Sequence, residues 1–262
     1  MDQEKIMALR DDEKWILAEN LKRQEQSEIA KIEGGSSGAD CGDFGAYYAL
    51  LSGKNPELAG VHAVSSGPYL AAYVRQLRVI LETAGRAQRP SILDVGCGPG
   101  ALTQKILEGF PGSRVRGIDI SESAIAYGRR TYPGCRFAVV SVDEKMDLGE
   151  TFDVVHAREF YPFTRTGDFD FHRKFVEVLA KHVAERGVLV LTILSRPNTL
   201  ASNADALAPA LGKFAMTPFE RVTLASARLP AWMPPPLARA FTTLGAKLRG
   251  RNDVRFYVSR RL

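Results

Sequence analysis

Apolar residues fall into two rhythms along this chain. From residue 91 onward, short apolar runs rich in β-branched side chains alternate with longer stretches whose apolar positions recur every three to four residues. The first rhythm marks buried strands and the second marks helices with one apolar face. Ser91 to Val95, Arg114 to Ile120, Arg136 to Val142, Phe152 to Val155 and Gly187 to Leu194 predict five strands. Ala101 to Gly109, Ser121 to Tyr132 and Phe171 to Gly187 predict the helices between them, the last stopped by Gly187. Regular alternation of this kind builds a doubly wound, mostly parallel α/β sheet with helices on both faces. Arg221 to Arg228 and Asp253 to Leu262 predict two more strands. Between them an insert at about 229–252 combines Trp232, Met233 and a proline run with a short basic amphipathic helix from Leu237 to Leu248.

The chain before residue 86 reads differently. Residues 1–33 predict one polar helix whose apolar stripe (Ile6, Leu9, Ile16, Leu21, Ile29) is narrow and interrupted, a pattern suited to packing on the domain or on a second copy. Residues 33–45 are rich in glycine and serine and predict a hinge. A second helix starts after Ser65-Ser66 with Pro68 in its first turn, and aligns Tyr69, Tyr73, Leu77 and Ile80. The organisation is therefore a helical extension over 1–85 followed by a Rossmann-like domain over 86–262.

Composition narrows the function classes. With 262 residues, 45% hydrophobic and 25% charged, the chain has the make-up of an ordinary globular protein with room for a full core. No secretory leader or membrane-spanning run is evident. Cys41, Cys97 and Cys135 are widely spaced, which speaks against a disulfide framework and a zinc site and for a reducing cytoplasm. The net charge of +5 is uneven: from residue 221 to the end, nine Lys and Arg face the single Asp253, so that segment carries +8 and the remainder −3. Such a tail is either a solvated face or a contact for phosphates, nucleic acid or an anionic membrane surface.

The chemistry-bearing stretch is SILDVGCGPG, from Ser91 to Gly100. A strand, a glycine turn at Gly96, Gly98 and Gly100, and a helix make a βα corner where backbone and helix N-terminus approach a ligand. Asp94, two residues before the first glycine, is out of place beside a pyrophosphate but apt near a cation. Asp119 ends the second strand nineteen residues beyond Gly100, where an acid accepts bonds from both hydroxyls of a ribose. On these residues the chain resembles the class I, Rossmann-like S-adenosylmethionine-dependent methyltransferases.

That resemblance implies S-adenosylmethionine as cofactor and S-adenosylhomocysteine as product, a seven-stranded sheet with an antiparallel last strand, and an N-terminal helical lid. It assigns the cofactor to Asp94, Gly96, Cys97, Gly98, Gly100, Asp119, Ile120, Val142 and Asp143, with Cys97 read as packing. Many members carry an aspartate directly after the third strand to hold the adenine; Ser141 stands there, leaving Asp143 or the Val142 backbone to serve. Tyr47, Tyr48 and Tyr161 are candidates to contact the acceptor. In an open α/β sheet the loop after the fourth strand floors the site. Here it brings His156 as first candidate general base, Glu159 as second, and Arg158 as a fork for an anionic group. His156 reads equally as a satisfied core histidine, and His172 and His182 as surface or helix-end residues. The Asn/Asp-Pro-Pro-aromatic motif of methyltransferases acting on nucleic-acid bases is absent. The expectation is a methyltransferase for a small-molecule or sugar acceptor, in polysaccharide or secondary-metabolite synthesis. An RNA- or ribosome-directed enzyme and a non-catalytic cofactor-binding scaffold are the alternatives, and a nicotinamide enzyme fits less well. A homodimer and contact of the basic insert with a membrane surface complete the expected partners.

Overall fold

The computed structural model describes residues 67–85, 88–194, 197–224, 233–248 and 254–262. The expected helix over 1–33, the hinge, and Tyr47 and Tyr48 lie outside the described residues. In chain order the elements are α1 (Gly67–Thr83), β1 (Ser91–Val95), α2 (Ala101–Gly109), β2 (Arg114–Asp119), α3 (Glu122–Thr131), β3 (Arg136–Val139) and β4 (Phe152–Arg158). They continue as α4 (Tyr161–Arg165), α5 (Phe169–Lys181), β5 (Val183–Leu194), α6 (Leu200–Asn203), α7 (Ala208–Gly212), β6 (Glu220–Thr223), α8 (Pro235–Leu248) and β7 (Val254–Arg260).

Seven strands form one sheet in the order β3-β2-β1-β4-β5-β7-β6. β1 to β5 pair in parallel, and β7 runs antiparallel between β5 and β6. This is the doubly wound sheet with an antiparallel final strand that the alternating pattern and the resemblance predict. Strand order reverses between β1 and β4, and ligands of such sheets bind in the crevice at that reversal, outside the carboxyl ends of the strands.

Both sheet faces are buried, which is why β1 reads as an unbroken apolar run apart from its acid. On one face Leu93, Val95, Val155, Leu189 and Leu191 pack against Phe175, Val176 and Leu179 of α5 and Leu207 and Leu211 near α7. On the other, Ile92, Val154, Val188, Val190 and Phe256 pack against Leu70, Tyr73, Leu77, Ile80 and Leu81 of α1 and Ile106 of α2. Helix α1 thus supplies a layer of this core. It crosses α2 closely: a Cβ on Gly109 would overlap the Val74 side chain, and Arg78 donates to the Gly109 carbonyl.

Elements β3, β4, α5 and β6 depart from the pattern-based expectation, β6 ending at Thr223 rather than Arg228. β3 ends at Val139 rather than Val142, its last bond to β2 running from Val140 N–H to the Asp119 carbonyl. β4 runs to Arg158, three residues past the apolar stretch FDVV, so His156, Ala157 and Arg158 are strand residues and not loop. Helix α5 ends at Lys181, six residues before Gly187, and β5 begins at Val183. Gly187 instead sits at an irregularity in the β4–β5 pairing, where a Cβ would lie 2.8 Å from the Ala184 carbonyl oxygen.

His172 is fully buried, contrary to its expected place at the surface. Its Nε2 lies 2.6 Å from the Pro162 carbonyl and its Nδ1 3.0 Å from the Asn203 amide nitrogen, so a neutral ring protonated at Nε2 meets both. Burial holds its pKa below the usual value of 6.5, outweighing the carbonyl at Pro162 that favours the charged ring. His182 is also buried, with Nδ1 at the Val178 carbonyl and Nε2 accepting from Leu148 N–H. A histidine with a depressed pKa contributes stability that is present above its unfolded pKa and lost as the pH falls through and below it. Denaturant unfolding between pH 7.5 and 5 should therefore show stability falling below about pH 6.5, with a weaker slope in His172→Gln, whose amide retains a donor for Pro162.

Candidate active site

The glycine corner follows directly from the end of β1. Gly96, Gly98 and Gly100 all have positive φ (66°, 53° and 87°), the left-handed region that L side chains resist. Space is as restrictive as conformation: a Cβ on Gly96 would lie 2.6 Å from the Phe160 ring, and one on Gly100 2.4 Å from the Phe137 ring. Cys97 N–H bonds the Ile118 carbonyl at 3.0 Å and ties the turn to β2. Burial, with the charges of Asp94 and Asp119 added, pushes the Cys97 thiol well above its ordinary pKa, so it stays protonated and serves as packing.

Two buried carboxyl groups flank the turn. Asp94 sits at the penultimate position of β1, where Oδ2 accepts from Thr103 Oγ1 at 2.6 Å and Oδ1 from His156 Nδ1 at 2.8 Å. Asp119 ends β2, where Oδ2 accepts from Gly98 N–H at 2.8 Å and Oδ1 from Ser121 N–H at 2.9 Å. Burial raises the Asp119 pKa above 3.8, against the lowering effect of those two amides, and the nearby charge of Asp94 raises it further. Each Asp119 oxygen has spare acceptor capacity, and further O–H donors would relieve this desolvated carboxylate. Beside it Ile120 is 40% exposed, an apolar surface at the rim of the crevice.

The parallel register between β1 and β4 pairs Asp94 with His156. His156 is completely enclosed, and its Nε2 lies 2.5 Å from the Tyr73 hydroxyl. The Arg158 guanidinium lies 5.7 Å over the Tyr73 ring. Glu159 adopts φ 48°; its N–H donates to the Thr192 carbonyl at 2.8 Å and its Oε1 accepts from Leu194 N–H at 2.6 Å, fixing the exit of β4 to the end of β5. Phe160 lies over Gly96, and Tyr161 meets Phe171 edge to face.

The structure therefore gathers Asp94, Gly96, Cys97, Gly98, Gly100, Asp119, Ile120, His156 and Phe160 at one corner. Val142 packs partly buried against the core, and exposed Asp143 accepts from the Lys145 N–H through Oδ1 at 2.8 Å. Thr103 and Thr192 join the site without having been singled out in sequence, and Tyr73, expected there only on the apolar face of a helix, joins it through its hydroxyl. A hydroxyl two residues into α2 and a tyrosine in an amphipathic helix carry no distinguishing spacing. Among the described residues, no group of His, Cys, Asp and Glu is arranged to hold a metal ion, and no helix is long and apolar enough to cross a membrane. In the expected basic insert, α8 exposes Leu237, Phe241 and Leu244 on one face.

A glycine turn at the strand-order reversal thus stands between acids at the tips of β1 and β2. Residues 92–182 match the family described as "Methyltransferase domain". Trans-aconitate 2-methyltransferase of Acidovorax sp. (strain JS42) is 38% identical over 68 residues, 25% of this chain and 26% of that protein. Malonyl-[acyl-carrier protein] O-methyltransferase of Bacillus cytotoxicus is 29% identical over 136 residues, 50% of this chain and 46% of that protein. The chain thus spans between about a quarter and a half of the length of these curated relatives. Magnesium protoporphyrin IX methyltransferase from Synechocystis PCC 6803, solved with bound SAM, superposes with a TM-score of 0.50 at 15% identity, covering 97% of this chain and 99% of that one, a likeness of fold.

Gly96→Ala should lower the unfolding free energy by at least about 1–2 kcal/mol, the cost of a side chain in the left-handed region. Adding Phe160→Leu should recover the part due to ring overlap. Guanidinium denaturation of the single and double variants measures both.

Proposed function

We propose that this chain is an S-adenosylmethionine-dependent methyltransferase acting on a small-molecule acceptor. One observation carries the reading: within a methyltransferase-family segment, a glycine corner that excludes side chains stands between two buried carboxylates at the tips of β1 and β2. The residues present fit that cofactor. Asp119 offers two acceptor oxygens to the ribose hydroxyls, Ile120 gives an apolar surface to the adenine, and Asp94 places negative charge near the cationic methionine portion. S-adenosylmethionine supplies a sulfonium-activated methyl group when bound. The chain's part is to bind, align the acceptor and exclude water. Helix α1 and Phe160 close the corner from either side, and the segment from Arg158 to Tyr161 lines the acceptor approach.

Within this reading the acceptor is a carboxylate or another group already ionised at neutral pH. A hydroxyl acceptor needs a base, yet His156, the first candidate, is enclosed with both ring nitrogens engaged. An ionised acceptor needs none. Both curated relatives described above are named for carboxylic acids, which supports the same class. The finer assignments to sugars, to polysaccharide synthesis and to an RNA substrate have no comparable observation.

Transfer of labelled methyl from S-adenosylmethionine to a panel of small carboxylic acids and sugars tests the proposal. Carboxylates should be methylated at a rate flat from about pH 6 upward, well above ordinary carboxyl pKa values. Asp119→Asn should weaken cofactor binding by about tenfold to a hundredfold, the worth of bonds to a charged acceptor. Cofactor binding without transfer to any acceptor would favour a scaffold. A rate rising through pH 7 with a sugar alone would return the case to a base-assisted hydroxyl acceptor.

A further inference from the structure

The acid before the glycine corner is the middle of a longer hydrogen-bonded chain. Thr103 Oγ1, the Asp94 carboxylate, the His156 ring, the Tyr73 hydroxyl and Thr192 Oγ1 follow one another at 2.6, 2.8, 2.5 and 2.7 Å. All five residues are buried. They come from α2, β1, β4, α1 and β5, so the chain crosses the centre of the sheet on the face that α1 covers. An ionised carboxylate only accepts, so His156 Nδ1 carries a proton toward Asp94. The Tyr73 hydroxyl stands between His156 Nε2 and Thr192 Oγ1 and uses its one proton for one of them while its oxygen accepts from the other.

Tyr73 is held on its remaining sides by packing. Its ring lies 4.8 Å from that of Phe256 and 5.6 Å, edge-on, from that of His156. If α1 shifted by one turn, His156 Nε2 would be stranded in a dry interior, and a buried polar group without a partner is costly. The position of α1 and the posture of Asp94 are therefore one equilibrium.

We infer that Tyr73 is a positioning residue for the cofactor site: through His156 it holds the Asp94 carboxylate, so docking of α1 sets cofactor affinity. This rests on the function proposed above. It replaces the role of general base for His156 with that of a rigid link. By linkage, a bound cofactor in turn secures α1 against the sheet.

Calorimetric titration with S-adenosylhomocysteine and hydrogen exchange of the ligand-free proteins test it together. Tyr73→Phe keeps the ring packing and removes only the hydroxyl. It should weaken S-adenosylhomocysteine binding by about tenfold and speed exchange of the Gly96 to Thr103 amides by a similar factor. His156→Asn retains a donor near the Nδ1 position but has no atom to meet Tyr73, so it should lose about as much as Tyr73→Phe, and adding Tyr73→Phe to it should cost nothing further. His156→Gln retains only the contact toward Tyr73 and should lose at least about tenfold. A purely structural role would lower the melting temperature of Tyr73→Phe while leaving affinity and local exchange unchanged, and that result overturns the inference. Failure of the wild-type chain to bind S-adenosylhomocysteine would refute the proposed function. The exchange comparison would still decide the coupling of Tyr73 to the glycine corner.

Discussion

The burial of one negative charge organises the centre of this molecule. Asp94 lies near the end of an otherwise apolar strand, 2% exposed, in a sheet with both faces covered. Leaving a carboxylate there without donors would cost several kcal/mol. The fold answers with a hydroxyl from the first turn of α2 and an imidazole from β4, each on its own oxygen. Both donors come from elements that the parallel register and the glycine turn bring to that point. The turn, the helix start and the fourth strand are thereby fixed around one side chain.

Neighbouring features follow. The positive φ angles at the turn remove side chains that would fill the crevice and let Phe137 and Phe160 pack against bare backbone. Asp119 straps the turn from the β2 side through Gly98 N–H, so both acids shape the same loop from opposite flanks. Helix α1 is a structural partner of the sheet: its apolar face buries Leu70, Leu77, Ile80 and Leu81, each worth about 1.5–3 kcal/mol when removed from water. In the proposed enzyme the cofactor acids are thus held by the core itself.

Much of this was legible in the sequence, for a physical reason in each case. The βα alternation follows from apolar period, and the corner from glycines that no other residue can replace. Asp119 follows from a spacing that a strand and a helix dictate. The fate of His156 was not legible, because the apolar signal of β4 stops at Val155 while the strand continues for three more residues. Whether a histidine beyond an apolar run points into a crevice or into the core depends on pairing with β1, which periodicity does not encode. The end of α5 was misplaced because Val183 to Gly187 continues a plausible helical pattern. There β5 starts early and Gly187 serves an irregular pairing. His172 looked like a surface residue because the acceptor it needs, the Pro162 carbonyl, comes from a separate segment. The Tyr73 hydroxyl was hidden for the same reason: its partners lie on β4 and β5.

The central claim is that the corner at Gly96 to Gly100 takes S-adenosylmethionine through the acids on either side of it. Isothermal titration of the wild-type chain with S-adenosylmethionine and with NADH tests it most directly. The account predicts saturable one-to-one binding of S-adenosylmethionine and none of NADH. Binding of NADH alone would contradict it, because the carboxylate of Asp94 would then stand where a pyrophosphate has to be tolerated.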